Sequence, residues 1–372
     1  MELSASSISE SRTATHYDWI DTLRGFAAVL IVLFHCRVDL WVGWNYIHAH
    51  PGEVSPVSYY LSYLSIPMPF MGQSVMLFFL ISGFCVHLPN IHRDQLPLKS
   101  YLIRRFLRIY PPYLIAILLC LLLDKLMNRA DHQTPMIVYL KSVFMIQNSV
   151  PPLGEISSNP SLWSLPVEMQ LYLLYPLLFW CNNRKGPGLV ALLVGAVTLL
   201  SVCIGIIIPS TESWVSANWC SYWLIWCGGA WLAENLTHPS LRWTQGKSFC
   251  FFLLLVGGVL SYHRLSMLLL HLLWAILFAF VLLYCAQRPL ENRITVALRK
   301  IGVYSYSLYL IHYPVLGLMG ALWVVFFAAK PTNLLIPLIA SLLIFPLSWL
   351  FYRLFEEPFH RLARVLGKRT SI

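Results

Sequence analysis

In YDWIDTLRGFAAVLIVLFHC, from Tyr17 to Cys36, two strongly polar residues interrupt the apolar run between Thr22 and Cys36. They are Arg24 and His35, eleven residues apart. At about 100° per residue this is roughly three whole turns, so on a helix both side chains point the same way, about 16 Å apart. Arginine holds an anion at any relevant pH, and histidine exchanges protons near neutrality. An anion can thus be gripped at one end of a helix face while a base works further along it. Ionisable groups inside a membrane are functional candidates by default. The plainer reading is an edge arginine that orients the helix and a packed histidine.

Three more stretches carry such groups. Arg104, Arg105 and Arg108 open an apolar run that includes Pro111 and Pro112. Arg104 and Arg108 are one turn apart, and Arg105 and Arg108 also share a face. With Arg24 they could form a cationic mouth for phosphate, which guanidinium binds bidentately; membrane-edge anchoring or anionic-lipid binding are the alternatives. In SLWSLPVEMQLYLLYP, Glu168 stands just inside a helix that Pro166 can start, with Tyr172 near its face. A carboxylate at that depth is either paired structurally or oriented toward a histidine such as His35, as in a catalytic dyad. In YSYSLYLIHYP, Ser305, Tyr309 and His312 stack at three- and four-residue spacing. Proton relay, ligand contact and helix pairing are all open for them.

The elements that must position these groups are apolar spans. Of 372 residues, 58% are hydrophobic and 11% charged, against about 25% charged in soluble domains. Runs of near 20 apolar residues recur throughout, so the fold class is all-α, a polytopic membrane protein. About ten spans are expected, near 20–42, 71–90, 104–127, 163–181, 188–208, 218–234, 248–263, 266–285, 303–327 and 333–354. The net charge of +10 gathers on loops that share a side with the N-terminus, which places both termini in the cytosol by the positive-inside rule and removes the case for nucleic acid. Long outer loops are expected near 43–70 and 128–162. The nine cysteines include no Cys-x-x-Cys, and most of them read as buried thiols. Residues 1–16, rich in Ser and Thr, read as a disordered cytosolic tail, 17–362 as one membrane domain, and 363–372 as a basic cytosolic tail. The first helix reads as retained. Pro111–Pro112 is expected to break its span, Gly83 beside Ser82 to allow close helix approach, and Glu356 and Glu357 to pair with nearby arginines.

In chain order these motifs resemble the acyltransferase-3 family of integral membrane O-acyltransferases. The matching features are Leu-Arg-Gly with Arg24 and His35, Phe-Phe…Ser-Gly-Phe at Phe78–Phe84, and Arg-Phe-Leu-Arg-Ile-Tyr-Pro from Arg105. Ser-Leu-Trp-Ser-Leu-Pro-Val-Glu ending at Glu168, Ser-Tyr-Ser-Leu-Tyr-Leu-Ile-His ending at His312, and Glu-x-Pro from Glu356 complete the set. Each is weak alone; six in order, over roughly residues 17 to 362, are specific. The resemblance implies a bacterial inner-membrane enzyme that transfers acetyl or a similar short acyl group from cytosolic acyl-CoA to a hydroxyl of a glycan, polysaccharide or glycolipid. It implies acetyl-CoA as donor, no metal, His35 as catalytic histidine, and Arg24, Arg105 and Arg108 as donor-binding residues. Many members carry an aspartate where this chain has Met76. Some carry an extra esterase-like domain, which is not expected here. A transporter or carrier of a polar lipid or small acid on the same scaffold is the alternative.

Overall fold

The structure is a computed structural model, and it describes residues 18–127, 134–151, 153–288 and 290–369. The expected tail over 1–16 and the last three residues of the expected 363–372 tail lie outside the described residues. Among the described residues every regular element is helical, as it must be where no water is present to satisfy backbone groups. The principal helices are α1 (Asp18–Asp39), α2 (Val75–His87), α3 (Leu98–Met127), α4 (Ser164–Lys185), α5 (Pro187–Ile207), α6 (Trp223–Asn235), α7 (Gln245–Leu260), α8 (Met267–Gln287), α9 (Arg293–Val303), α10 (Ser305–Phe327), α11 (Leu335–Ser341), α12 (Ile344–Phe351) and α13 (Glu357–Arg369). Seven helical stretches among the described residues are long and apolar enough to cross a membrane, and the chain is an integral membrane protein. The other three expected spans are helical too: α4 is polar at both ends, and α6 and α7 are 13 and 16 residues long.

Two helix crossings are knit by glycine. A Cβ added at Gly25 of α1 would lie 1.9 Å from the Leu298 carbonyl oxygen of α9, and one at Gly302 would lie 1.8 Å from that of Asp21. The α2–α6 crossing repeats the device, with Gly83 against the Trp226 carbonyl and Gly229 against that of Leu80. Backbones approach this closely only where no Cβ intervenes. Arg299 of α9 also pairs with Asp18 at the start of α1.

Three expectations are corrected. Helix α3 runs unbroken through Pro111 and Pro112. The prolines remove two helical donors, but tyrosines tie both flanks down: Tyr306 donates to the Ile109 carbonyl at 2.8 Å and Tyr113 to that of Ser142 at 3.0 Å. The 43–70 stretch is largely helical, with helices at Trp44–Ala49 and Pro56–Ser62 and a near-continuous run over Pro56–Asn90. It is held by a cluster of Trp41, Ile47, Met68 and Leu334. Finally, only Glu357 pairs with arginines, Arg353 and Arg361, each at 2.7 Å. A single π-helical turn over Tyr352–Glu356 turns Glu356 inward, where it is 1% exposed. There it accepts hydrogen bonds from Ser307 N at 3.0 Å and Ser307 Oγ at 2.5 Å.

Candidate active site

The helix face that carries Arg24 and His35 borders two cavities. Arg24, Arg105 and Arg108 line the first, a cavity of about 750 Å³ counted with its open mouth. Helices α1 and α3 bring these residues together, with Ser82 of α2, Glu168 and Tyr172 of α4, and Ser305 and Tyr309 of α10 completing the wall. Arg24 Nη1 donates to Asp21 Oδ1 at 3.2 Å. The Arg105 guanidinium lies 5.2 Å from the ring centre of Tyr172 and 5.8 Å from that of Tyr101, so two aromatic faces hold it by cation–π attraction. Among the described residues neither Arg105 nor Arg108 has a carboxylate ion-pair partner. Guanidinium groups so placed favour an anion in the cavity. Arg104 is exposed, and its side chain lies against Gly367 of α13 instead.

Glu168 is the acid of this cavity. Its Oε1 accepts from Ser82 Oγ at 2.7 Å and from Tyr172 OH at 2.5 Å, and Trp226 Nε1 donates to Ser82 Oγ at 3.2 Å. Ser82 Oγ and Tyr172 OH also lie 2.9 Å apart, so the two hydroxyls and the carboxylate form one hydrogen-bonded cluster. Among the described contacts Glu168 makes none with His35. Trp226 is a supporting residue that the sequence reading did not single out. The Ser-Gly pair was legible there as a helix contact but not as a proton donor.

His35 lines the second cavity, of about 1250 Å³ counted with its open mouth, with Gln73, Glu155, Trp163, Tyr262 and His271 around it. Met76, which stands where many members of the resembled family have an acid, also lines it. Burial pushes the Glu155 carboxyl above its usual range. The two cavities share Val75 and Tyr309 as a common wall. Tyr309 is fixed there: its hydroxyl donates to the Ser161 carbonyl at 2.7 Å and, its proton so used, accepts from Ser164 Oγ at 2.8 Å. The His35 ring packs on that of His312, centroids 5.1 Å apart, and on that of Tyr313 at 4.8 Å. His312 is fully buried. Thus α10 carries Ser305 to the arginine cavity, Tyr309 to the shared wall and His312 to His35, along the one face that the spacing defined.

An all-helical bundle whose polar interior is reached through two back-to-back cavities defines an integral membrane protein with a built internal site. The chain belongs to the acyltransferase family, whose description is Acyltransferase domain and which matches residues 17–353. Among its relatives is YrhL of Bacillus subtilis (strain 168), a proposed peptidoglycan O-acetyltransferase. It is 25% identical over 345 residues, covering 80% of this chain and 48% of the relative. The peptidoglycan O-acetyltransferase OatA of Listeria monocytogenes is 25% identical over 304 residues, 71% of this chain and 48% of the relative. Nodulation protein 10 of Rhizobium leguminosarum is 26% identical over 278 residues, 69% of this chain and 64% of the relative. The chain therefore spans about half the length of the two named for peptidoglycan. No solved structure matches it.

Proposed function

We propose that this protein is a membrane O-acetyltransferase that moves acetyl, or a similar short acyl group, from acetyl-CoA to a glycan hydroxyl. In this reading residues 17–362 form the acyltransferase domain in a bacterial inner membrane, with both termini cytosolic. The donor enters the arginine cavity with its phosphates on Arg105, Arg108 and Arg24. Its thioester arm runs past Glu168 and Tyr172 toward the wall at Tyr309. The acceptor enters the aromatic cavity and brings its hydroxyl to His35.

His35 accepts the hydroxyl proton as general base. The freed oxygen bonds to the thioester carbonyl carbon, the C–S bond breaks, and the sulfur leaves as thiolate. His35 returns the proton to it, giving the O-acyl ester and free CoA-SH. The observation that carries this reading is the shared wall: an anion-favouring cavity and a histidine cavity meet at Val75 and Tyr309. The names of the peptidoglycan O-acetyltransferase relatives support the acceptor class. The test is purified protein in detergent given acetyl-CoA and soluble peptidoglycan fragments, with free thiol followed by absorbance and products by mass spectrometry. Acceptor-dependent CoA release with a mass gain of one acetyl group supports the proposal. Absence of both with a panel of glycan acceptors rejects it.

A further inference from the structure

His312 lies on α10, fully buried, and the acid–base step needs only one histidine. Its two ring nitrogens have different surroundings. Nδ1 lies 2.8 Å from the Tyr309 carbonyl oxygen and 3.2 Å from that of Leu308. A carbonyl oxygen can only accept, so Nδ1 carries the proton. In the neutral ring Nε2 then carries a lone pair, and it is buried with no hydrogen-bond partner among the described residues. A buried, unpaired acceptor costs on the order of 1–3 kcal/mol unless something fills its need. The ring packed beside it is His35, at 5.1 Å between centroids and tilted by 46°. At that separation the two rings can form an N–H···N bond when a nitrogen of each turns toward the other.

We propose that His312 is the positioning residue of the base: its Nε2 accepts the N–H of one His35 nitrogen and so fixes the lone pair on the other, toward the acceptor cavity. The backbone of α10 sets the His312 tautomer, and His312 sets that of His35. The logic is that of a triad's orienting acid, with a neutral imidazole in place of the carboxylate. When His35 takes the acceptor proton, both its nitrogens become donors, and the bond to His312 Nε2 strengthens as positive charge develops. The inference rests on the acyl-transfer reading for its kinetic consequence, but the tautomer itself does not.

Two variants separate this role from a merely structural one. In His312→Asn the side-chain amide sits near Nδ1 and keeps the bonds to the Leu308 and Tyr309 carbonyls, but nothing reaches the place of Nε2. In His312→Gln the amide oxygen reaches that place and keeps the acceptor. Positioning predicts that His312→Gln retains turnover within about tenfold of wild type, while His312→Asn loses on the order of 10²-fold in kcat. The KM for acetyl-CoA stays unchanged in both, and calorimetric donor binding shows that each is folded. A structural anchor predicts the reverse ranking, which, like equal losses in the two variants, overturns the proposal. Nitrogen-15 spectra of the histidine-labelled wild type, assigned with the His312 variants, read the tautomer without any turnover. A proton on Nδ1 of His312 supports the proposal, and one on Nε2 overturns it. A wild-type protein that transfers no acyl group but shows the Nδ1 proton would count against the acyl-transfer reading while upholding the tautomer.

Discussion

Arg104, Arg105 and Arg108 differ in surroundings more than in chemistry. Arg105 and Arg108 line a cavity, whereas Arg104 lies against α13. Sequence spacing allowed either pair to share a face, and only the packing of α13 on α3 distinguishes them. The proposed roles separate by measurement. Arg108→Ala removes a charged contact to the donor, on the order of 1.5–3 kcal/mol, so calorimetry should show acetyl-CoA binding weakened by about 10- to 150-fold. Arg104→Ala should leave that affinity near wild type. His35→Ala should bind the donor as well as wild type does yet lose about 10²–10⁴-fold in turnover, as expected for loss of a base. If Arg104→Ala and Arg108→Ala weaken donor binding equally, the arginines act as a diffuse charge and not as a site.

Helices α1 and α2 each cross a partner at a pair of glycines, and these crossings hold Arg24 and Ser82 at the first cavity. A methyl group at Gly83 or Gly302 would overlap a backbone carbonyl oxygen that has no rotamer to yield. Overpacking of this kind costs about 1–3 kcal/mol, so Gly83→Ala and Gly302→Ala should both lower the unfolding temperature in detergent. Gly257→Ala, with nothing within 4 Å of the new methyl, is the control: it should leave that temperature unchanged or raise it slightly, because alanine is the better helix former. Hydropathy found the seven described stretches that are long and apolar enough to cross a membrane, and helical spacing found the face of Ser305, Tyr309 and His312. It missed α9, whose Arg293, Arg299 and Lys300 read as loop charge, because that helix is stabilised by docking on α1 and not by its own apolarity. The continuity of α3 through two prolines was hidden for a related reason: its anchors are tyrosine–carbonyl contacts to remote segments. The inward turn of Glu356 depends on one extra residue in a helical turn, which periodicity does not register.

At the scale of the whole molecule, one wall separates two chemistries. Three guanidinium groups and a held carboxylate face one cavity, and a histidine among aromatic rings faces the other. The residues that line them come from helices far apart in the chain, so the sequence displayed the groups but not their partition. Glu168, which its expected depth in the membrane offered as a partner for His35, stands with the arginines, held by Ser82 and Tyr172. The central claim is that acyl groups cross this wall from donor to acceptor. The direct measurement uses proteoliposomes of uniformly oriented protein, with acetyl-labelled acetyl-CoA, which does not cross the bilayer, supplied only on one side. A membrane-impermeant glycan acceptor is supplied only on the other side. The account predicts labelled ester on the glycan with matching release of CoA on the donor side. Product that forms only when donor and acceptor share a side would contradict it.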